Sequence, residues 1–318
     1  RASRDAAMLV SVVWMRASAV TMSWSDSVCA VVKPPTSSMP GKVQPTTDKN
    51  RLPACTVCKF PKRGIHRFMK VAVFVCAVAA VIGSFIGSGA WVGTPIAEAA
   101  GGALSATSTL VAPSGSAFSI WTVIYVGFIA YAVWQFFAGQ RQEALRLPIA
   151  VSMLLNAAWI LSIQAGLLWL SVVTIFALLA VLVRVFVLTQ RTRPESTLDA
   201  VVTDGTMGLY LGWVCVATIA NVTAWLVDLG YSTGATFWAV AVVVVAALVG
   251  VGLATYSRGA IAPGLAVVWG LMWIAQGRLA GELDNATVGW TAAAAALVVG
   301  VFTAVVRSPQ RQRTTVSG

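Results

Sequence analysis

Apolar runs of the length needed to cross a hydrocarbon core, about 20 residues at about 1.5 Å rise each, recur along this chain. They fall at 71–90, 117–138, 147–166, 169–189, 204–227, 236–256, 260–279 and 288–306. A backbone in lipid has to satisfy its own hydrogen bonds, so each run predicts a helix. Turn-forming residues punctuate the gaps, among them Gly166, Pro194, Gly230, Gly259 and Gly281. The pattern predicts an all-α membrane protein with about eight transmembrane helices. The weakest of these runs is 260–279, which is interrupted by Pro263 and several glycines and carries Arg278 near its end.

Residues 1–68 break the pattern. They are rich in Pro, Ser, Thr and Lys, their apolar patches are too short to span, and the chain opens on Arg1. The segment is read as disordered, or as upstream sequence outside the native protein, with Met69 as the start. A competing reading makes the first run a signal peptide. Its length and its glycines (Gly83, Gly87, Gly89) favour a packed span. Residues 91–116 form the longest loop of the spanning region, rich in small residues, with one acid (Glu98) and no basic residue.

Composition agrees with the segmentation. Charged residues are 10% of the chain, against the roughly 25% that covers a soluble domain. The net charge of +11 is concentrated at one end: residues 1–70 hold 12 of the 22 Lys and Arg but 3 of the 11 acids. A nucleic-acid-binding body is therefore unsupported. The remaining charges test the span count. With the N-terminus cytoplasmic, inside loops receive Arg141 and Arg146, Arg191 and Arg193, Arg258, and then Arg307, Arg311 and Arg313. Outside loops receive Arg278 alone, together with Glu98, Asp228, Glu282 and Asp284. The positive-inside rule then predicts eight spans with both termini cytoplasmic, in what we expect to be a bacterial plasma membrane.

Candidate chemistry is sparse. His66 is the one histidine, and it precedes the first span, so no embedded imidazole is available to ligate haem or metal or to serve a nucleophile. Cys55 and Cys58 with His66 form half a zinc site at most, and no metal site is expected. Cys76 and Cys215 read as packing residues. Asp199, Asp204 and Asp228 fall near span ends and read as helix-end residues, which leaves no buried carboxylate for proton coupling.

Aromatic and amide residues remain. Eleven of the 13 tryptophans follow residue 90. Trp91, Trp169, Trp238 and Trp290 lie near span ends, as an interfacial belt does. Trp121, Trp159, Trp213 and Trp225 follow another pattern. Trp121 and Tyr125 are i and i+4, Asn156 and Trp159 are i and i+3, and Trp213, Asn221 and Trp225 share one helical face. These seven side chains either pack the core or line an apolar pocket with a few orienting amides. Trp269 and Trp273, i and i+4 on the seventh span, leave the same two options open.

At these residues the chain resembles the TspO/MBR family of tryptophan-rich sensory proteins, which includes the mitochondrial translocator protein. The fifth span, Leu209-Tyr-Leu-Gly-Trp213-Val-Cys-Val-Ala217-Thr218-Ile-Ala-Asn221-Val-Thr-Ala-Trp225, is similar to the family's helix without a gap. Leu155-Asn156-Ala-Ala-Trp159 and Pro113-Ser-Gly115 leading to Trp121-Thr122-Val-Ile-Tyr125 are similar to two further motifs, in the same order. Leu209 stands where the family has proline, Ile160-Leu161 where Ser-Pro often follows, and Leu226 where many members have arginine.

The resemblance covers about 71–228 and implies a five-helix bundle over 69–230 with a ligand cavity closed by the loop between helices one and two. Residues 231–307 add three helices and 308–318 a cytoplasmic tail. It implies a membrane sensor or receptor for an apolar ligand, a porphyrin or haem above all, with no cofactor required and with pairing into a homodimer. The alternatives are a carrier for a small hydrophobic metabolite and an enzyme that degrades porphyrin in light.

Overall fold

The computed structural model describes residues 62–87, 94–96 and 98–315, with side chains over 67–83, 94–96 and 98–307. Cys29, Cys55, Cys58 and Trp91, the His66 side chain and most of the segment 1–68 lie outside that description. All described residues belong to one unit.

Its long helices are α1 (Lys62–Gly87), α2 (Ile120–Trp134), α3 (Arg141–Gln164), α4 (Leu168–Arg191), α5 (Thr206–Asp228), α6 (Ala235–Tyr256), α7 (Ile261–Leu279) and α8 (Ala286–Thr315). Among the described residues, six segments are long and apolar enough to cross a membrane, and they contain α2 to α6 and α8. The expected number of eight is matched by long helices, of which six qualify as spans among the described residues. α7 is diluted by Pro263, its glycines, Gln276 and Arg278. α1 starts at Lys62, ahead of the boundary expected at Met69.

Helix ends follow from local chemistry. α3 and α5 stop at Gly166 (φ 71°) and Gly230 (φ 89°), left-handed positions that a side chain would strain. At each, the next residue donates back across the last turn: Leu167 N–H to the Ser162 carbonyl and Tyr231 N–H to the Leu226 carbonyl. Asn285 caps α8 by accepting from the Val288 N–H at 3.1 Å. The segment Thr197–Asp228 is one long helical stretch in which a π-helical turn, Ala200–Gly205, precedes α5.

α1 packs on α2 and α3, α3 on α4, and α4 on α5. α7 then seats on α5 and carries α6 and α8 on its other sides. The three C-terminal helices are thus built into the five-helix bundle. Two apolar clusters make the core, and they interlock: Val216 of α5 belongs to the C-terminal cluster, and Ala266 of α7 to the N-terminal one.

The α5–α7 contact depends on missing side chains. A Cβ on Gly208 would come within 2.8 Å of Pro263 Cδ, and one on Gly212 would run into the Pro263 carbonyl and lie 2.9 Å from Ala266 Cβ. Gly270 of α7 meets Val216 in the same way. Gly208 and Gly212 are four apart, the small-residue spacing that lets helix backbones approach without a hydrophobic driving force. Gly212→Ala should therefore cost about 1–3 kcal/mol, measured as a lower unfolding midpoint in detergent. An unchanged midpoint would mean that α7 does not seat there.

Candidate functional site

Trp121 is the centre of an aromatic cluster between α2, α3 and α5. It stacks on Tyr125 (ring centroids 5.4 Å) and Trp159 (6.4 Å) and meets Tyr210 (5.9 Å) and Trp213 (6.3 Å) edge-on. Phe118, from the short 3-10 turn Gly115–Ser119, sets its edge on Trp213 at 5.8 Å. Such offset and edge-on pairs satisfy the ring quadrupoles and hold each ring in one orientation.

Amides fix the same rings from behind. Asn156 Nδ2 donates to the Tyr125 hydroxyl at 2.9 Å. Trp159 Nε1 donates to Asn221 Oδ1 at 3.0 Å, and Asn221 Nδ2 donates to Ser171 Oγ at 2.9 Å. Asn156 and Asn221 are buried, so these bonds replace water that the site excludes.

Trp121, Trp159, Trp213 and Asn221 line a small cavity together with Phe118 and the loop residues Leu104 and Thr109. Tyr125 and Asn156 stand one layer behind it. Trp225, grouped with Trp213 and Asn221 on sequence spacing, packs partly buried against the core and does not line the cavity. Sequence reasoning missed Phe118, Tyr210 and Ser171. Tyr210 was visible in the fifth-span motif, and Phe118 follows Pro113-Ser-Gly115 closely, whereas Ser171 gives no local signal.

Residues of the loop between α1 and α2 line one side of the cavity, and α7 holds that loop in place. Arg278, 1% exposed, donates from Nη1 to the Thr109 carbonyl at 3.3 Å and from Nη2 to the Ala106 carbonyl. The Ser114 N–H donates to the Trp273 carbonyl at 3.2 Å, and Trp269 Nε1 to the Ala117 carbonyl at 2.9 Å. At the far end of the loop, Gln164 Nε2 donates to the Thr94 carbonyl at 2.7 Å. Arg278 was expected near the outer end of the seventh span and counted with the outside charges. It does lie in the last turn of α7, but buried, with its charge on carbonyls of the loop.

The chain belongs to the TSPO-like family. The model of the TSPO-like protein matches residues 72–305. That match runs through α6, α7 and α8, well past residue 228, where the resemblance was expected to end. No curated protein and no solved structure matches the chain. Family and helices together make it an integral, TspO-type membrane protein.

The cavity is small. Its volume is about 30 Å³, room for roughly one or two waters. Two of the lining residues each hold a buried polar atom without a hydrogen-bond partner: the Trp213 indole nitrogen and the Thr109 hydroxyl. Among the described residues no three His, Cys, Asp or Glu side chains converge on a metal position.

A second polar cluster lies at the opposite end of the bundle. Arg141 opens α3 and is buried there, where an exposed loop residue was expected. It donates to Asp199 at 2.6 Å and to Asp204 at 2.5 Å. Asp199 lies at a helix end as expected but is a buried carboxylate, which was not expected: it is 1% exposed and also accepts from Gln142 Nε2 (2.7 Å), the Thr203 hydroxyl (2.8 Å) and the Glu195 N–H (3.0 Å). Ser196 accepts from the Asp199 N–H at 3.1 Å and so caps the start of the helical stretch. The sequence signal was Ser196-Thr-Leu-Asp199, a hydroxyl three residues before an acid.

Proposed function

We propose that this protein is a membrane sensor that binds a flat apolar ligand carrying a hydrogen-bond acceptor, with a porphyrin-like tetrapyrrole as the ligand class. The observation that carries this reading is the unpartnered Trp213 indole N–H at an otherwise apolar, aromatic-walled cavity. A buried donor without an acceptor is costly, and a ligand carbonyl or carboxylate relieves that cost. Aromatic walls suit a flat ring system, which would be held by burial and ring contact with no axial imidazole.

A ligand of that size enters only when the lid lifts, since a cavity of about 30 Å³ admits little more than water. Binding would then be coupled to lid position, and lid position to α7 through Arg278, Trp269 and Trp273. A ligand reports its presence to the rest of a protein by favouring one of two arrangements, and a displaced lid is such an arrangement.

The test is an absorbance titration of protoporphyrin into purified protein. Trp213→Phe keeps a ring and removes the donor, and it should weaken binding about tenfold. Trp121→Ala and Asn221→Ala should each weaken it further by removing a wall, and Asn156→Ala by freeing Tyr125. Affinity unchanged in all four variants would defeat the cavity assignment.

A further inference from the structure

We propose that the hollow between the start of α1 and the α2–α3 turn is a binding site for a phosphate-bearing anion, separate from the lidded cavity and at the other end of the bundle. The hollow measures about 700 Å³, and Arg67, Lys70 and Arg146 line it, with Glu143 as the acid among its lining residues. Among its described lining residues, cations outnumber acids three to one.

Arg146 is the decisive residue. It is 2% exposed, its Nη2 donates to the Gln135 carbonyl at 3.3 Å, and its Nε has no partner. Its neighbour Arg141 is neutralised by Asp199 and Asp204, whereas Arg146 makes no ion pair among the described residues. A buried guanidinium without a carboxylate calls for an anion, and its planar fork matches two phosphate oxygens. Lys70 adds a second charge at a fixed place. Its Nζ donates to the Phe136 carbonyl at 2.9 Å, which uses one of three donors, and its own carbonyl accepts from Gln135 Nε2 at 3.1 Å. Arg67 lies three residues earlier on the same helix face and is exposed at the rim.

The walls favour a lipid as the bearer of the phosphate. Val71 and Phe136 line the hollow and are substantially exposed, and Phe137 beside them is 79% exposed. An acyl chain can lie on that apolar surface while its headgroup meets the cations. Arg191, Arg193, Arg258 and Arg307 lie at this same end, which the positive-inside rule assigns to the cytoplasm, where anionic lipids concentrate.

Thermal unfolding of the full chain in neutral detergent tests the site with three probes: dioleoyl phosphatidylglycerol, dioleoyl phosphatidylcholine and inorganic phosphate. The expected result is a saturable rise in midpoint with phosphatidylglycerol and none with phosphatidylcholine. The double variant Arg67→Gln, Lys70→Gln, which leaves the buried Arg146 in place, should raise the concentration needed by about 25-fold, about fivefold per cation. Arg146→Gln should remove the response. Inorganic phosphate producing the same shift, with the same loss in the double variant, would assign the site to a soluble anion. No shift with any probe, an equal shift with phosphatidylcholine, or a shift that the double variant leaves intact would overturn the proposal.

Discussion

Asp199→Ala should destabilise the protein by about 3–5 kcal/mol, the usual cost of stripping one partner from a buried ion pair. The variant would leave the buried Arg141 guanidinium facing an uncharged methyl group and would strand Gln142 and Thr203, which both donate to the same carboxylate oxygen. Asp204 provides the internal control. It also binds Arg141, but its side chain is 24% exposed, so water can take over part of its role. Asp204→Ala should therefore cost a small fraction of the Asp199 effect. Detergent unfolding of the two variants side by side measures the difference. Equal losses would show that burial does not separate the two carboxylates.

The second large effect is expected at the lid. Arg278→Met keeps the bulk of the side chain and removes both charged hydrogen bonds to the Thr109 and Ala106 carbonyls. A hydrogen bond to a charged group contributes about 1.5–3 kcal/mol, so lid opening should become roughly ten to a hundred times more frequent. Hydrogen exchange of the amides over 103–113 reads this directly, and porphyrin should associate faster by a similar factor. Exchange that stays at the wild-type rate would show that α7 does not restrain the loop.

Much of this was legible in the sequence because it is periodic. Apolar runs located the long helices, and helical spacing put Trp213 and Asn221 on one face of α5, whereas only the packing of α2, α3 and α5 brings Trp121 and Trp159 to the same cavity. Trp225 shares that spacing and still misses the cavity, since a helical face is wider than the wall of a pocket. The three buried arginines, Arg141, Arg146 and Arg278, were not legible. Charges near span ends read as solvated loop residues, and the partners of Arg141 and Arg278 lie 58 and 169 residues away in sequence. Only the packed helices bring them together. The extent of the family was misjudged for a related reason. The tryptophan and asparagine motifs end at Trp225, whereas α7 is recognised by small residues, which leave little trace in a hydropathy pattern.

Those small residues also bear on self-association. Gly208 and Gly212 give α5 a shallow groove of bare backbone, the kind of surface through which membrane helices of separate chains commonly pair. Here Pro263 and Ala266 of the same chain fill it. That groove is therefore closed to a second chain, and the C-terminal helices act as a partner that is covalently attached and always present at saturating concentration.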